Sequence, residues 1–574
     1  MKMSWKLLLL FFGIFISRLI FISSDVPSVR ITEHTETDQY YYTLPIENQF
    51  EFDSWYSDFP PQEESVRILF DVFQNLWTGC FFALFGFNLF SFKLAVISVF
   101  LLSACFFYKA LSIGSINKKW TYLILLFFSV EFMTFSTSMV QNPTVYSLFA
   151  SCLVLYLVAK WMNNPSAINS MLLGLSSVFI VLLVYIFNSY LAGAVGSFVL
   201  IQFFFQKRRH KLIVFMLIGV FAGFLLSTGL TKFLFDKTII DLYDNLITIS
   251  GGESLRVVGQ LEVPLVQKIK SFVGGFFLIN VYRFNLFIIP VLVLSMVWSV
   301  LRFRTEKWAR FHFLVFLFVL IQCYFEPIHA QKKLTVLLPF ILHSGYFAFQ
   351  YFFSSHSKWI KIIGSGASLA GLLIGIYAWR MMTADWFDAA RWGENTPEWF
   401  NLTNLFFLFL AVGLLMSRFW KKSSFYSYVI PLFLIPSTLL VVYYYAVRGT
   451  KYMNKIEVSQ EFIPSNKMAG DYVESLCFHG MLPAYPTYLE YEMTPEEYEM
   501  ELFAKIESNQ VQSVSFIRNK SFPEGYSFEE RIHKGKVLNE GDTLLNLHNK
   551  YILVDQVLKL SQGKELYLGL SRNK

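Results

Sequence analysis

Residues 212–230 read LIVFMLIGVFAGFLLSTGL, a run of the chain without a single charged side chain. Folded as an α-helix at about 1.5 Å per residue, this run is about 28 Å long, close to the ~30 Å hydrocarbon core of a membrane. A helix at the surface of a soluble protein is apolar on one face, whereas this one is apolar on nearly every face. The stretch therefore predicts a helix that spans a membrane.

Similar apolar runs recur along most of the chain. The sequence is 55% hydrophobic and only 16% charged, against about 25% charged residues in a soluble domain. The first run holds Arg18 and is followed by no clear cleavage site, so we expect an uncleaved span rather than a signal peptide. We predict about thirteen spans, near residues 5–23, 91–109, 120–138, 144–161, 170–187, 190–206, 212–230, 284–302, 311–325, 334–353, 359–379, 403–420 and 425–446.

Basic residues mark one side of the predicted membrane. The formal net charge is +7, and alternating spans place most short basic loops on one side, which is the cytoplasm by the positive-inside rule. We therefore predict a cytoplasmic N-terminus and an extracytoplasmic C-terminus, and we expect no binding to nucleic acid. The residues behind this prediction include Lys2, Lys6, Lys109, Lys118, Lys119, Lys160, Lys207, Arg208, Arg209, Lys211, Arg302, Arg304, Lys307, Arg310, Lys358, Lys361, Arg418, Lys421 and Lys422.

The predicted fold class is an all-α polytopic membrane protein with a small extracytoplasmic α/β domain at its C-terminus. The membrane domain covers residues 1–448, with outer loops at 24–90, 231–283, 326–333 and 380–402. Within the first outer loop, the apolar residues 68–90 hold Asp71, Gln74 and Asn75. This mixture predicts a helix that lies along the outer interface rather than a further span.

The C-terminal domain is predicted for residues 449–574, where long apolar runs give way to mixed polarity. Val511–Phe516 and Tyr551–Val557 have the pattern of strands, and Pro495–Glu507 has the pattern of a helix. Throughout the chain the five cysteines are scattered and form no C-x-x-C pair or Cys/His cluster. This spacing favours neither a disulfide framework nor a zinc site, and we expect that no metal or other cofactor is required.

The first outer loop carries the candidate catalytic carboxylate. Residues 24–70 contain ten Asp or Glu residues and two Arg residues, and Asp38 follows the first span closely. A carboxylate near the membrane surface can take a proton from a hydroxyl group while the lipid tail of a substrate stays in the bilayer. The alternative is a solvated acidic loop in which no single carboxylate matters, and composition alone favours that alternative.

For three charged residues within the predicted spans, the sequence leaves two interpretations open. Arg18 lies in the first span, Lys93 at the start of the second and Glu131 in the third. Such side chains are costly in a membrane and usually face a protein interior or a cavity. The alternative, equally weighted for Arg18, is that the side chain snorkels to the interface.

Basic residues on the predicted outer side are candidates for binding a phosphate. Arg256 lies in the second large outer loop, and Lys332 and Lys333 lie in a short outer loop with His329. The lysine pair departs from the positive-inside trend in a short loop, where the trend is strongest, and this favours a functional role. Lys and Arg near a membrane face are natural partners for a lipid-linked phosphate. For His329, an ordinary loop histidine is the favoured interpretation.

Several segments, taken in order, resemble the motifs of family 22 glycosyltransferases, which are multi-span enzymes of the GT-C architecture. Residues 36–42, E-T-D-Q-Y-Y-Y, match the motif N-P-D-E-Y-W-Q at Asp38 and at Tyr40. Residues 138–144, S-M-V-Q-N-P-T, resemble the segment R-T-L-S-N-T-L-E without its Arg and Glu. The later motif H-K-E-x-R-F-x-x-P, aligned on Pro339, keeps only its lysine and its proline. Residues 448–453, R-G-T-K-Y-M, resemble the R-G-x-x-x-V-M of the third GPI mannosyltransferase.

The resemblance implies a mannosyltransferase, nearest to the enzymes that extend GPI anchors. Such an enzyme moves a sugar, with inversion, from a polyprenyl-phosphate or dolichol-phosphate donor to a glycolipid acceptor at the outer membrane face. It implies Asp38 as the catalytic base and a donor phosphate held by Lys332, Lys333 and Arg256. The implied substrate-binding residues are Gln39, Tyr40, Tyr41, Tyr42 and His329. The membrane is the endoplasmic reticulum in a eukaryote and the cytoplasmic membrane in a bacterium.

Two alternatives to an active enzyme stay open. The first is an inactive relative that binds a glycolipid or a partner protein, because the His, Glu and Arg of the later motif are missing. The second is a transporter for a lipid-linked sugar, which predicts paired charges in the middle of spans and two related halves.

Overall fold

The structure is a computed structural model. Two predicted spans, 403–420 and 425–446, and the predicted helix Pro495–Glu507 lie outside the residues that it describes. The described residues are 5–22, 46, 64–86, 89–114, 116–139, 143–184, 188–205, 210–235, 238, 288–325, 330–354, 357–383, 468–470, 484–486, 513–518, 537–546, 550–559 and 565–573.

Every predicted span up to residue 379 overlaps a helix, and a further helix covers most of the segment 68–90. These helices form because the apolar runs satisfy their own backbone hydrogen bonds within one segment, as a lipid environment demands. The described helices are α1 (Trp5–Leu19), α2 (Glu64–Phe85), α3 (Leu89–Ile113), α4 (Lys118–Val130), α5 (Phe132–Thr137), α6 (Pro143–Asn163), α7 (Ala167–Phe179), α8 (Ser189–Phe205), α9 (His210–Phe235), α10 (Ile288–Leu301), α11 (Lys307–Phe325), α12 (Ala330–Ser354) and α13 (Lys358–Thr383).

Two predicted spans are interrupted. The span predicted at 120–138 breaks at Glu131, whose extended backbone separates α4 from α5. The span predicted at 170–187 passes from α7 into a π-helical turn, Ile180–Val184, and the side chain of Asn188 donates to the carbonyl of Ile180 at 3.1 Å. Breaks of this kind free backbone groups, and nearby side chains then supply the missing hydrogen bonds.

Several described helices are long enough and apolar enough to cross a membrane. Among the described residues, four segments meet both conditions: Phe90–Ile113, Thr144–Asn163, Ala167–Val184 and Lys211–Phe235. Helix α9, which contains the last of them, exposes large apolar side chains such as Phe221, Leu225 and Phe233. An exposed apolar surface of this size suits contact with lipid rather than with water.

The helices α7 and α9 pack with their backbones in close contact. A Cβ atom added to Gly174 of α7 would lie 2.1 Å from the carbonyl oxygen of Met216, and one added to Gly219 of α9 would lie 2.1 Å from that of Met171. Small residues at facing positions are what allow two helices to approach this closely in a membrane protein.

Contacts between α3, α4 and α12 define two ends of the helical bundle. The Nε2 atom of His343 lies 3.0 Å from the position that a Cβ on Gly114 would take, and the backbone N–H of Asn117 donates to the hydroxyl of Tyr346 at 3.4 Å. The second half of α12 therefore meets the end of α3 and the start of α4. We call this the His343 end. The starts of α3 and α12 and the end of α4 lie at the opposite end, which we call the Arg18 end because Arg18 contacts it.

The described part of the C-terminal region forms a six-stranded sheet in the order β2-β1-β3-β6-β5-β4. Strand β1 is parallel to β2 and β3, and the remaining neighbours are antiparallel. The strands predicted at Val511–Phe516 and Tyr551–Val557 correspond to β3 and β5. The strands are β1 (Met468–Gly470), β2 (Ala484–Pro486), β3 (Ser513–Arg518), β4 (Thr543–Asn546), β5 (Lys550–Lys559) and β6 (Glu565–Asn573).

Candidate functional site

The guanidinium group of Arg18 is fully buried near the C-terminal end of α1. Its Nε donates to the hydroxyl of Ser138 at 3.1 Å, its Nη1 donates to the hydroxyl of Ser17 at 2.9 Å, and its Nη2 donates to the carbonyl of Ser129. The hydroxyl of Ser138 in turn donates to the carbonyl of Phe135 at 2.6 Å. Arg18 thus joins α1 to the end of α4 and to the residues that follow α5.

Two aromatic rings enclose the same guanidinium group. Its central carbon lies 4.5 Å from the ring centroid of Phe100 and 4.3 Å from that of Phe135. Stacking on ring faces stabilises a guanidinium that has been removed from water. Arg18 therefore faces the protein interior. Of the two interpretations that the sequence left open for this residue, snorkelling to the interface is the wrong one.

Lys93 and Glu131 are buried at the same end of the bundle. The Nζ of Lys93 donates to the carbonyl of Met139 at 2.8 Å, and the Oε2 of Glu131 accepts from the backbone N–H of Thr134 at 3.1 Å. We call residues 129–139 the α4–α5 segment. Arg18 from α1 and Lys93 from α3 both donate to this segment, so two cations and one carboxylate that are distant in sequence meet there.

The chain leaves α1 beside this segment. The backbone N–H of Phe21 donates to the carbonyl of Arg18 at 3.1 Å, which tightens the last turn of α1. The ring of Phe21 meets the ring of Phe135 edge to face, with 6.1 Å between their centroids. The first outer loop, which contains Asp38, therefore begins from a point that is fixed against the α4–α5 segment.

Helix α2 covers most of the helix predicted for residues 68–90, and three of its polar side chains are buried. Gln74, Asn75 and Thr78 are each at most 1% exposed. The indole N–H of Trp77 donates to the hydroxyl of Ser98 on α3 at 2.9 Å. Two of the polar residues that suggested a wet interface, Gln74 and Asn75, are thus buried in the protein. The position of α2 along the outer interface stays a prediction.

The phosphate-binding candidates Lys332 and Lys333 lie in the first turn of a helix rather than in a loop. Helix α12 begins at Ala330, whereas the sequence predicted an outer loop at 326–333 and a span from residue 334. The two lysines are the third and fourth residues of α12, and the start of α12 lies at the Arg18 end of the bundle. They therefore lie at the same end as Arg18, Lys93 and Glu131.

The other predicted site residues lie outside the described residues. This holds for the candidate base Asp38, for the phosphate-binding candidate Arg256, and for the substrate-binding candidates Gln39, Tyr40, Tyr41, Tyr42 and His329. Within the described ranges, no group of three or more His, Cys, Asp or Glu side chains is placed to hold a metal ion.

A buried histidine pair at the His343 end was not singled out by the sequence. His312 of α11 and His343 of α12 are fully buried, with 2.9 Å between Nε2 of His312 and Nδ1 of His343. The ring of Trp308 lies over His343 with 4.4 Å between centroids. One histidine donates to the other, and which one does so depends on the tautomer. The pair ties α11 to α12, and the sequence holds no signal for it because the two residues lie in separate apolar runs.

Comparison with known proteins identifies the fold. No protein-family model matches the chain, and no curated protein matches it in sequence. The crystal structure of ArnT from Cupriavidus metallidurans bound to undecaprenyl phosphate matches 99% of this chain and 98% of that chain, with a TM-score of 0.51 and 10% sequence identity. The chain has the GT-C membrane fold. The apo structure of the same protein gives a TM-score of 0.46, 13% identity and coverage of 98% and 97%.

The match runs over nearly the full length of both chains, so it includes the membrane helices and the C-terminal region together. It supports the GT-C architecture that the sequence predicted. Together with the four long apolar helices it also suits a membrane protein, and the orientation of the termini stays a prediction. At 10% identity the likeness concerns the fold alone, and the assignment to the mannosyltransferase branch stays a prediction.

Proposed function

We propose that this protein is a glycosyltransferase that moves a sugar, mannose by first choice, from a polyprenyl-phosphate donor to a lipid-linked glycan acceptor. The observation that carries this proposal is the GT-C fold over the whole chain. ArnT, which shares the fold at a TM-score of 0.51, was crystallised with undecaprenyl phosphate. A lipid-linked donor suits a site predicted at the end of the membrane helices, where the lipid tail can stay in the bilayer while the phosphate reaches the outer loops.

In the proposed reaction Asp38 acts as the catalytic base. Its carboxylate takes the proton from the acceptor hydroxyl, and the hydroxyl oxygen attacks the anomeric carbon of the donor. The bond between that carbon and the phosphate oxygen breaks on the opposite face, so the configuration inverts. The lipid phosphate leaves with the bonding electron pair.

The departing phosphate needs fixed positive charge, which stabilises the charge that develops in the transition state. We assign this role to Lys332, Lys333 and Arg256. The placement of the two lysines in the first turn of α12 supports the assignment, because unpaired backbone N–H groups and the helix dipole favour an anion there. Gln39, Tyr40, Tyr41, Tyr42 and His329 are proposed to contact the sugar.

The distribution of buried charge favours an enzyme over a transporter. In the described helices the buried charged side chains are Arg18, Lys93, Glu131 and Arg310, and each lies near a helix end or break. A carrier is expected to hold charged groups near the middle of its spans, where its substrate binds.

The test is sugar transfer by purified protein in lipid, with polyprenyl-phosphate mannose or glucose as donor and a panel of glycolipid acceptors. We expect transfer that the Asp38→Asn variant loses and that Asp53→Asn, the same exchange in the same acidic loop, retains. The anomeric configuration of the product reports inversion. Folded protein that transfers neither sugar would contradict the proposal and favour the inactive relative.

A further inference from the structure

We infer that Arg18 is a positioning residue for the proposed reaction, acting through the α4–α5 segment and the end of α1. This inference rests on the proposed function. The part of Arg18 is to fix the place at which the chain leaves α1 and enters the first outer loop, the loop that contains Asp38.

The cost of burying Arg18 is the first argument. A guanidinium group inside a membrane bundle is expensive, and an apolar side chain often stabilises such a position at least as well. What a buried cation adds is a defined geometry, because its donors must meet particular acceptors. Arg18 meets acceptors on three sides: Ser17 in its own helix, Ser129 at the end of α4, and Ser138 after α5.

The second argument concerns the α4–α5 segment, which contains the acceptors Ser129 and Ser138 and which is not one continuous helix. The α4–α5 segment breaks at Glu131, so its backbone is not held by one continuous helix. Lys93 holds its far end through the carbonyl of Met139. The two cations thus fix both ends of the segment, and Phe21 packs against Phe135 in its middle.

The third argument is location. The C-terminal end of α1 leads directly into the acidic loop, and Lys332 and Lys333 lie at the same end of the bundle. A shift of α1 would therefore move the start of the acidic loop relative to the proposed phosphate-binding lysines. A misplacement of about 1 Å between reacting groups can cost on the order of 100-fold in rate.

The chain offers a matched control at the other end of the bundle. Arg310 of α11 is 5% exposed, and it donates to the carbonyl of Arg304 at 3.1 Å and to the side chain of Gln202 at 3.5 Å. It is also a buried arginine near a helix end. These two partners, Arg304 and Gln202, lie at the end of the bundle opposite to Arg18, so Arg310→Lys reports what the loss of a buried guanidinium does to stability.

The experiment measures kcat, the KM for the donor and the thermal midpoint of Arg18→Lys, Ser138→Ala, their double variant and Arg310→Lys, all as full-length protein in lipid. For Arg18→Lys we expect kcat to fall about 10–100-fold with KM changed less than about twofold. Ser138→Ala lowers kcat in the same direction. The double variant is no worse than Arg18→Lys, since both changes remove one contact. Arg310→Lys lowers the midpoint and keeps kcat.

Each other outcome has a separate meaning. If Arg18→Lys and Arg310→Lys both lower the thermal midpoint and both keep kcat, Arg18 contributes only to stability. The inference then fails, and the proposed function is unaffected. If Arg18→Lys raises KM and keeps kcat, Arg18 acts in binding and positioning is refuted. If the folded wild-type protein transfers no sugar, the proposed function fails and takes the inference with it.

Discussion

Replacement of Gly219 by alanine tests the close packing of α7 on α9. The added Cβ would lie 2.1 Å from the carbonyl oxygen of Met171 and 2.8 Å from its carbonyl carbon. Ordinary van der Waals contact begins at 3.4 Å. The obstacle is backbone rather than a flexible side chain, so no rotamer change relieves it.

The magnitude follows from how far the helices must separate. Restoring ordinary contact requires a movement of at least about 1.3 Å, from 2.1 Å to 3.4 Å, and neighbouring atoms along the contact then lose much of their dispersion energy. Overpacking of this kind costs about 1–3 kcal/mol. Alanine also has the higher helix propensity, worth about 0.5–1 kcal/mol in its favour. We therefore expect a net loss of up to about 2.5 kcal/mol for Gly219→Ala, centred at about 1 kcal/mol.

The same helix contains the matched control. A Cβ on Gly229 would meet no atom within 4 Å, so Gly229→Ala gains helix propensity without a clash. The free energy of unfolding is measured by titrating each variant in mild detergent micelles with SDS. We expect Gly219→Ala to be less stable than the wild-type protein and Gly229→Ala to be at least as stable. Equal stability of the two variants would refute the close helix contact.

Two further predictions concern other parts of the fold. His312→Leu and His343→Leu each leave a buried nitrogen without its partner, and each should lower the free energy of unfolding by about 1–3 kcal/mol. We expect the double variant to lose less than the sum of the two single losses. Additive losses in the same SDS titration would show that no hydrogen bond joins the pair. Gly541 has a φ of +88° in the turn before β4. Gly541→Ala should therefore destabilise the sheet by about 1 kcal/mol and speed amide exchange in β4 and β5 but not in the helices. Unchanged exchange would contradict the positive φ at this turn.

Helices were predictable because their signal is local. The run at 212–230 is apolar on nearly every face, and the structure has a helix there, α9. The ends of helices were less predictable, because hydropathy marks the part of a helix that suits lipid and not the whole helix. Lys332 and Lys333 were placed in a loop for this reason, although lysine, glutamine and alanine all favour helices.

The break at Glu131 could not be predicted from hydropathy. Residues 120–138 form one apolar run, and nothing in the run except a single glutamate distinguishes it from an unbroken span. The structure ends α4 there, and the carboxylate accepts from the backbone N–H of Thr134 in the next turn. The carboxylate thereby satisfies a backbone donor that the first turn of a helix leaves without an intrahelical partner, and hydropathy carries no sign of such a cap.

The orientation of Arg18 could not be predicted, and the reason is physical. The apolar runs of this chain are apolar on nearly all faces, so a charge within one of them carries no information about which face meets protein. The partners that decide the matter are distant in sequence: Ser129 and Ser138 follow Arg18 by 111 and 120 residues. These contacts show that Arg18 and Lys93 both donate to the α4–α5 segment, which contains Glu131. Because that segment lies where the acidic loop begins, buried charge and proposed chemistry share one end of the bundle.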